Sequence, residues 1–234
     1  EVAAIVADRE GGNDTALVFE VNTDGADGAV EKARLNHNGT LFVDNVFGLG
    51  DTDTGIALGA NGANIMQFYT GNTNRLTINE IGAMINTSQP AFLVHPSTNQ
   101  NDFPVGSQTT VVFGTERFDQ NADFNTTSYK FIAPVTGRYM LSTFVRIDHI
   151  DISSDYIDMR IRTSNHTYQN VYNSDLENSA DGTFKTLTLA VLADMDANDE
   201  AYVTVFVEGH VASSTGTTSI NTGGSTGFFG YLAC

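Results

Sequence analysis

"FDQNADFNTTSYKFIAPVTGRYMLSTFV", residues 118–145, changes character in its middle. The first half is polar and rich in asparagine; the second sets aromatic and apolar residues at alternate positions around Pro134 and Gly137. Alternation with a period of two marks a strand with one buried face. A proline followed closely by a glycine turns the chain from one strand into the next. The spacing therefore predicts that Phe131, Tyr139 and Phe144 enter the interior between two sheets, and that Gly137 supplies a positive φ a side chain would resist. Read this way, these residues are architectural.

Strands of the same kind continue on both sides. "QPAFLV" (89–94), "TTVVFG" (109–114), "YIDMRIRT" (156–163), "TFKTLTLAVL" (183–192), "AYVTVFVEGHV" (201–211) and "GFFGYLA" (227–233) mostly alternate, each with one apolar side. Leu187, Leu189 and Val191 face opposite to Phe184, Thr186, Thr188 and Ala190, and Val203, Val205 and Val207 share a face. Strands at such turn-punctuated spacing form a sandwich or jelly roll, and residues 89–234 suffice for one self-contained core.

Residues 1–88 read differently. They are rich in Gly, Asn and Asp, with short strands such as "TALVFEVN" (15–22), "TGIALGA" (54–60) and "NIMQFYTG" (64–71), each closed by a turn signal. "RLNHNGTLFVDN" from Arg34 and "RLTINEIGAMIN" from Arg75 form a loose repeat when aligned on Arg-Leu with a small gap. A period near forty residues fits units that cannot bury their own apolar faces and must pair with others.

Composition agrees with an all-β chain. There are 22 Gly, 4 Pro and no Trp in 234 residues, favouring turns and short strands over helices. Eleven Lys and Arg against 28 Asp and Glu leave a formal charge of −17. That surface repels phosphate backbones, so nucleic acid is not an expected partner. The single cysteine, Cys234, precludes an intrachain disulfide, and no apolar run is long enough to insert into a membrane as a helix. A start at Glu1 without Met reads as a processed product or a piece of something longer.

The spacing Phe113, Asp119, Phe124, Phe131, Gly137, Tyr139 resembles the signature of the complement C1q globular-head family, F-x5-[ND]-x4-aromatic-x6-F-x5-G-x-Y. Leu141 and Thr143 stand where that signature continues with aromatics, Phe144 being next door. "PAFLV" (90–94) resembles the family's first strand and "GFFGYLA" its last; in "LADMDANDEAYVTV" (192–205), Asn198 and Asp199 stand where the family has Gly-Asp. The resemblance implies a C1q/TNF-like jelly roll that associates as a homotrimer and binds through exposed loops. The stretch 30–90 is similar to the β shafts of bacteriophage tail fibres. The two resemblances together imply an all-β chain with an N-terminal trimeric β shaft over 1–88 and a C1q-like head over 89–234. The expectation is a receptor-binding tip on the virion, joined to the rest of the tail fibre and recognising a host cell-surface glycan or protein. The alternative is a trimeric bacterial surface adhesin or structural protein bearing the same head.

No nucleophile elbow, zinc-protease motif or phosphate loop occurs, and His37, His95, His149, His166 and His210 are scattered, so no enzyme activity is expected. "NTDGADG" (22–28) and "DMDAND" (194–199) begin like EF-hand loops but lack the required Gly and closing acid together. The acidic connection "RIDHIDISSDYID" makes Asp148, Asp151 and Asp155 candidate calcium ligands, calcium being the one cofactor considered. For the receptor, "TSNHTYQNVYNSDLENSADG" (163–182), read as a polar connection, offers His166, Tyr168, Asn170 and Tyr172, since a tyrosine stacks with its ring and bonds with its hydroxyl; "SSTGTTSINTGGSTG" (213–227) is read as a flexible loop.

Overall fold

The structure is a computed structural model that describes residues 2–10, 14–22, 30–35, 39–43, 45–47, 53–59, 64–151, 154–174, 182–208, 212–213 and 216–234. The chain forms two compact units, Glu1–Thr87 and Ser88–Cys234.

In the first unit β1 (Val2–Glu10), β2 (Asp14–Asn22), β3 (Val30–Leu35) and β4 (Leu41–Val43) make one antiparallel sheet in chain order. A second follows, also in chain order: β5 (Asn45–Phe47), β6 (Gly55–Leu58), β7 (Met66–Thr70), β8 (Thr73–Ile78) and β9 (Met84–Ile85). Each sheet ends in a hairpin of the same span. Leu35 pairs with Leu41 and Ile78 with Met84, and Gly39 and Gly82 both take φ +82° in the turns. Only glycine enters that left-handed region without steric cost. The loose repeat is thus in register on its glycines rather than on Arg34 and Arg75, because the turn, not the strand start, fixes a hairpin's pairing. In the second hairpin Asn79 organises the turn: its side-chain oxygen accepts from the Ala83 amide at 2.8 Å and the Ile81 amide at 3.2 Å.

No core accompanies these hairpins among the described side chains. Among the described side chains of this unit Ala57 is the buried apolar one, while Leu41, Phe42, Ile81 and Met84 are 60, 53, 82 and 74 % exposed.

The second unit is a sandwich. Its strands are β10 (Ala91–His95), β11 (Thr109–Thr110), β12 (Thr115–Asp119), β13 (Phe124–Asn125), β14 (Lys130–Ile132), β15 (Gly137–Ile150), β16 (Ile157–Thr163), β17 (Thr167–Tyr172), β18 (Gly182–Met195), β19 (Glu200–Val207), β20 (Ala212–Ser213), β21 (Gly216–Thr217), β22 (Ser219–Ile220) and β23 (Gly227–Leu232). One sheet runs β12-β10-β23-β15-β18, with β22 also on β15; the other runs β13-β14-β19-β16-β17, with β11 also on β19. The chain repeatedly crosses between the two, which is jelly-roll connectivity.

The sequence signature becomes one cluster of rings. Phe92 stacks on Phe131 at 4.7 Å and on Phe124 at 5.4 Å, Phe228 meets Phe92 edge-on at 5.0 Å, and Tyr139 lies 5.4 Å from Phe131. Phe113, Phe131 and Tyr139 are fully buried. Tyr139 keeps its hydroxyl satisfied by donating to the Val135 carbonyl at 2.7 Å. Asp119 serves the cluster from outside: its two oxygens accept the amides of Asp123 (3.1 Å) and Phe124 (2.9 Å), fixing the turn that delivers Phe124.

Two expectations are corrected. Phe144 does not enter the interior; Leu141, Thr143 and Val145 do, so the alternation of β15 sends Phe144 to the opposite face. Buried Thr143, standing where the signature has an aromatic, donates to the Gly227 carbonyl at 2.9 Å and so leaves no unsatisfied hydroxyl. Gly137, in turn, is absent from the positive-φ residues. It is required by close approach, since a Cβ there would sit 2.7 Å from both the Cys234 carbonyl oxygen and Leu232 Cδ1. Gly137→Ala is expected to destabilise the head by about 1–3 kcal/mol through overpacking. Gly224→Ala, with open space around the new methyl, should change stability by less than about 0.5 kcal/mol; urea unfolding of both variants checks the contrast.

Candidate functional site

Two sheets give the head two outward faces, and they differ in chemistry. On the β12-β10-β23-β15-β18 sheet, register brings Phe118 beside Leu93 and Leu93 beside Phe229, with Tyr231 and Leu192 flanking Met140 in the next row. Phe118, Leu192 and Tyr231 are about half exposed. Leu93, Phe118, Phe144 and Phe229 line an open groove of about 360 Å3 with no polar wall. Contiguous apolar surfaces of this kind are a common feature of interfaces.

The outward face of the other sheet is mostly polar, with the stacked Tyr156–Phe206 pair and half-exposed Val171 as its apolar part. Its charges are largely paired: Lys130 Nζ lies 2.6 Å from Glu200 Oε2, and Arg160 holds the buried carboxylate of Asp158 with both Nε and Nη2. Tyr202 sits between strands here, with Lys130 Nζ 5.0 Å from its ring centre.

The residues expected to meet a receptor fall at the edge of that sheet. The connection read from 163 is a strand in its first part, β17, and residues 175–181 lie outside the described ones. Tyr168, Asn170 and Tyr172 share the inward side of β17. Tyr172 is buried with Lys185 Nζ 4.0 Å over its ring, Tyr168 packs against the core, and Asn170 donates to the Thr188 carbonyl at 2.8 Å. These three side chains close the gap between β17 and β18. His166, exposed, meets Tyr168 edge-on at 4.8 Å. The residues alternating with them, Thr167, Gln169 and Val171, are the exposed ones; period-two alternation could have singled them out had the segment been read as a strand.

The acidic candidates are dispersed. Asp148, on β15, accepts from Arg146 Nε at 2.6 Å and Asn221 Nδ2 at 3.0 Å. Asp151 follows the strand, its carbonyl accepting the Ser154 amide, and Asp155 is exposed. Among the described residues no three His, Cys, Asp or Glu gather into a group fit to hold a metal ion. In "DMDAND" Asp199 takes the Asp196 amide and the Asn165 side chain, both at 2.8 Å, as a turn. Of "NTDGADG", residues 23–28 lie outside the described ones, as do 214–215 of the Gly/Ser/Thr loop, His37 and His210.

A cleft of about 460 Å3 opens beside the signature turn, lined by Asp123, Phe124, Asn125, Pro134 and Asn198 among others. Burial, with Asp119 as a further contributor, holds the Asp123 carboxyl above the ordinary aspartate range against the lowering effect of the Asn121 amide.

The C1q domain profile matches residues 91–232. Among solved structures, the chain is similar to the globular domain of zebrafish complement 1qA (16 % identity, TM-score 0.44). It is also similar to murine APRIL in crystals at pH 8.5 (9 %, 0.42) and at pH 8.0 (9 %, 0.43). Each comparison covers 62 % of this chain and 98 % of the other. No curated protein matches the sequence.

The raised Asp123 sets a pH expectation. A carboxyl whose folded pKa exceeds its unfolded value of 3.8 favours folding in its protonated form, a contribution fully present below that value and lost as pH rises through the folded pKa. Asp123→Asn should therefore be more stable than the parent at pH 7, the difference fading towards pH 3.8 and below, as followed by thermal unfolding across pH.

Proposed function

Because the chain belongs to the C1q domain family, whose members typically form homotrimers, bind partners and are found outside cells, we propose that it is the receptor-binding tip of a trimeric fibre. In this reading residues 1–88 are the end of a β shaft and 89–234 the head. The fibre is a bacteriophage tail fibre carried on the virion, and the head recognises a glycan or protein on the host cell surface. The family is generally non-enzymatic, and the reading assigns no catalysis.

The observation that carries the proposal is the apolar surface left open by the single chain. The groove of Leu93, Phe118, Phe144 and Phe229 in the head, and the hairpins around Leu41 and Met84 in the first unit, are apolar surfaces that the described residues leave exposed. Burying apolar area yields roughly 25 cal/mol per Å2, so identical copies gain by covering one another. Association through the apolar sheet leaves the polar sheet of each head facing outward. Among the described residues no helix is long and apolar enough to cross a membrane.

Sedimentation at micromolar concentration should give a species three times the chain mass of 25.1 kDa. Phe229→Asp, placing a charge in the groove but outside the core, should release single chains with unchanged β-sheet circular dichroism. The trimer should also adsorb to a susceptible bacterial strain and compete with infection of that strain. A folded single chain in the parent protein, or adsorption to no strain, would refute the reading.

A further inference from the structure

The polar outward face of the head carries a row of four residues across four strands: Lys130 on β14, Tyr202 on β19, Arg162 on β16 and Thr167 on β17. Arg162 is in register with Tyr202 on one side and Thr167 on the other, and Lys130 reaches the far side of the Tyr202 ring. One step along, Arg160 faces Thr204 and exposed Gln169.

What distinguishes the row is charge compensation. In a chain of net charge −17, the neighbouring cations are spoken for: Lys130 by Glu200 at 2.6 Å, Arg160 by Asp158. Arg162 is half-buried and, among the described residues, has no carboxylate, ring or hydrogen-bond partner, and its Nε is shut from solvent without an acceptor. The buried Nε is out of reach of a ligand from solvent, but the two Nη groups, neither bonded nor shut in among the described residues, form a planar fork that fits a carboxylate. Beside it Tyr202 offers a ring face, while Thr167 and Gln169 offer exposed polar groups.

Resting on the receptor-binding reading, we infer that this row is the primary subsite of the head and that its ligand is a carboxylate-bearing saccharide. The sugar acid pairs with the Arg162 fork, a pyranose ring lies against Tyr202, and hydroxyls meet Thr167 and Gln169. The strongly negative surface disfavours densely charged polyanions. A sugar carrying one carboxylate per unit meets Arg162 locally, since other exposed charges are screened beyond about 8 Å at physiological salt. The subsite lies on the sheet opposite the apolar groove, so association through that groove leaves it open.

The test uses the full chain in its native oligomeric state and saturation-transfer NMR with trigalacturonate at millimolar concentration, beside its fully methyl-esterified form, which keeps the rings and removes the charge. The expected result is transfer to the acid weakened about tenfold or more by esterification, and by a similar factor in Arg162→Gln, in keeping with loss of a charge-assisted bidentate contact. Arg162→Lys, which keeps charge but not the fork, falls between. Absence of transfer from the acid, equal transfer from the ester, or an unchanged Arg162→Gln variant overturns the inference. The ester comparison is made on the parent protein and stands even if a variant misfolds. Adsorption to the susceptible strain separates the two levels. If the parent adsorbs and Arg162→Gln adsorbs equally, the subsite is wrong and the receptor reading survives; if the parent fails to adsorb, the receptor reading itself falls.

Discussion

A two-sheet sandwich has one interior, and the rings stacked across it decide everything else in the head. Phe92 from one sheet lies against Phe124 and Phe131 from the other at 4.7–5.4 Å. Aromatic pairs of this kind contribute about 0.5–1.5 kcal/mol beyond the area they bury. Once these rings are set, strand alternation dictates which side chains remain outside. Phe144 and Phe229 are left on the outer face for that reason alone, as are Arg160 and Arg162 on the other sheet. The apolar groove and the polar row are two results of one constraint.

Much of the fold was legible because period two is a local signal. The faces of β18 and β19 follow directly from residues 184–191 and 203–207, and the jelly roll was read from strand spacing together with the C1q-like signature. What escaped was non-local. The local pattern gives Gly137 a turn geometry, whereas its constraint comes from Leu232 and Cys234 nearly a hundred residues later, a contact no local pattern announces. The aromatic spacing of 131–144 points Phe144 inward, but the alternation of its own strand, which buries Tyr139, Leu141, Thr143 and Val145, is the better guide.

The candidate site was less legible. Polar composition made residues 163–172 look like a loop, yet β17 is polar because one of its sides faces water while the other seals the sandwich. Tyr168 and Tyr172 stand as rings amid polar residues, a mixture that a strand edge produces as readily as a binding loop. Arg162 carried no sequence signal of its own. Its distinction is that no described residue supplies it a counter-charge, and that depends on which residues Glu200 and Asp158 pair with in space.

The strand β23 lies between β10 and β15, in the middle of its sheet, although it begins 136 residues after β10 does. Until residues 227–232 emerge from the ribosome, β10 and β15 have no common neighbour and the inner ring cluster lacks Phe228. The head therefore cannot mature stepwise during synthesis. Its closure is a late, long-range event, of the kind that makes β-rich chains slow to fold and vulnerable to strand exchange while they wait.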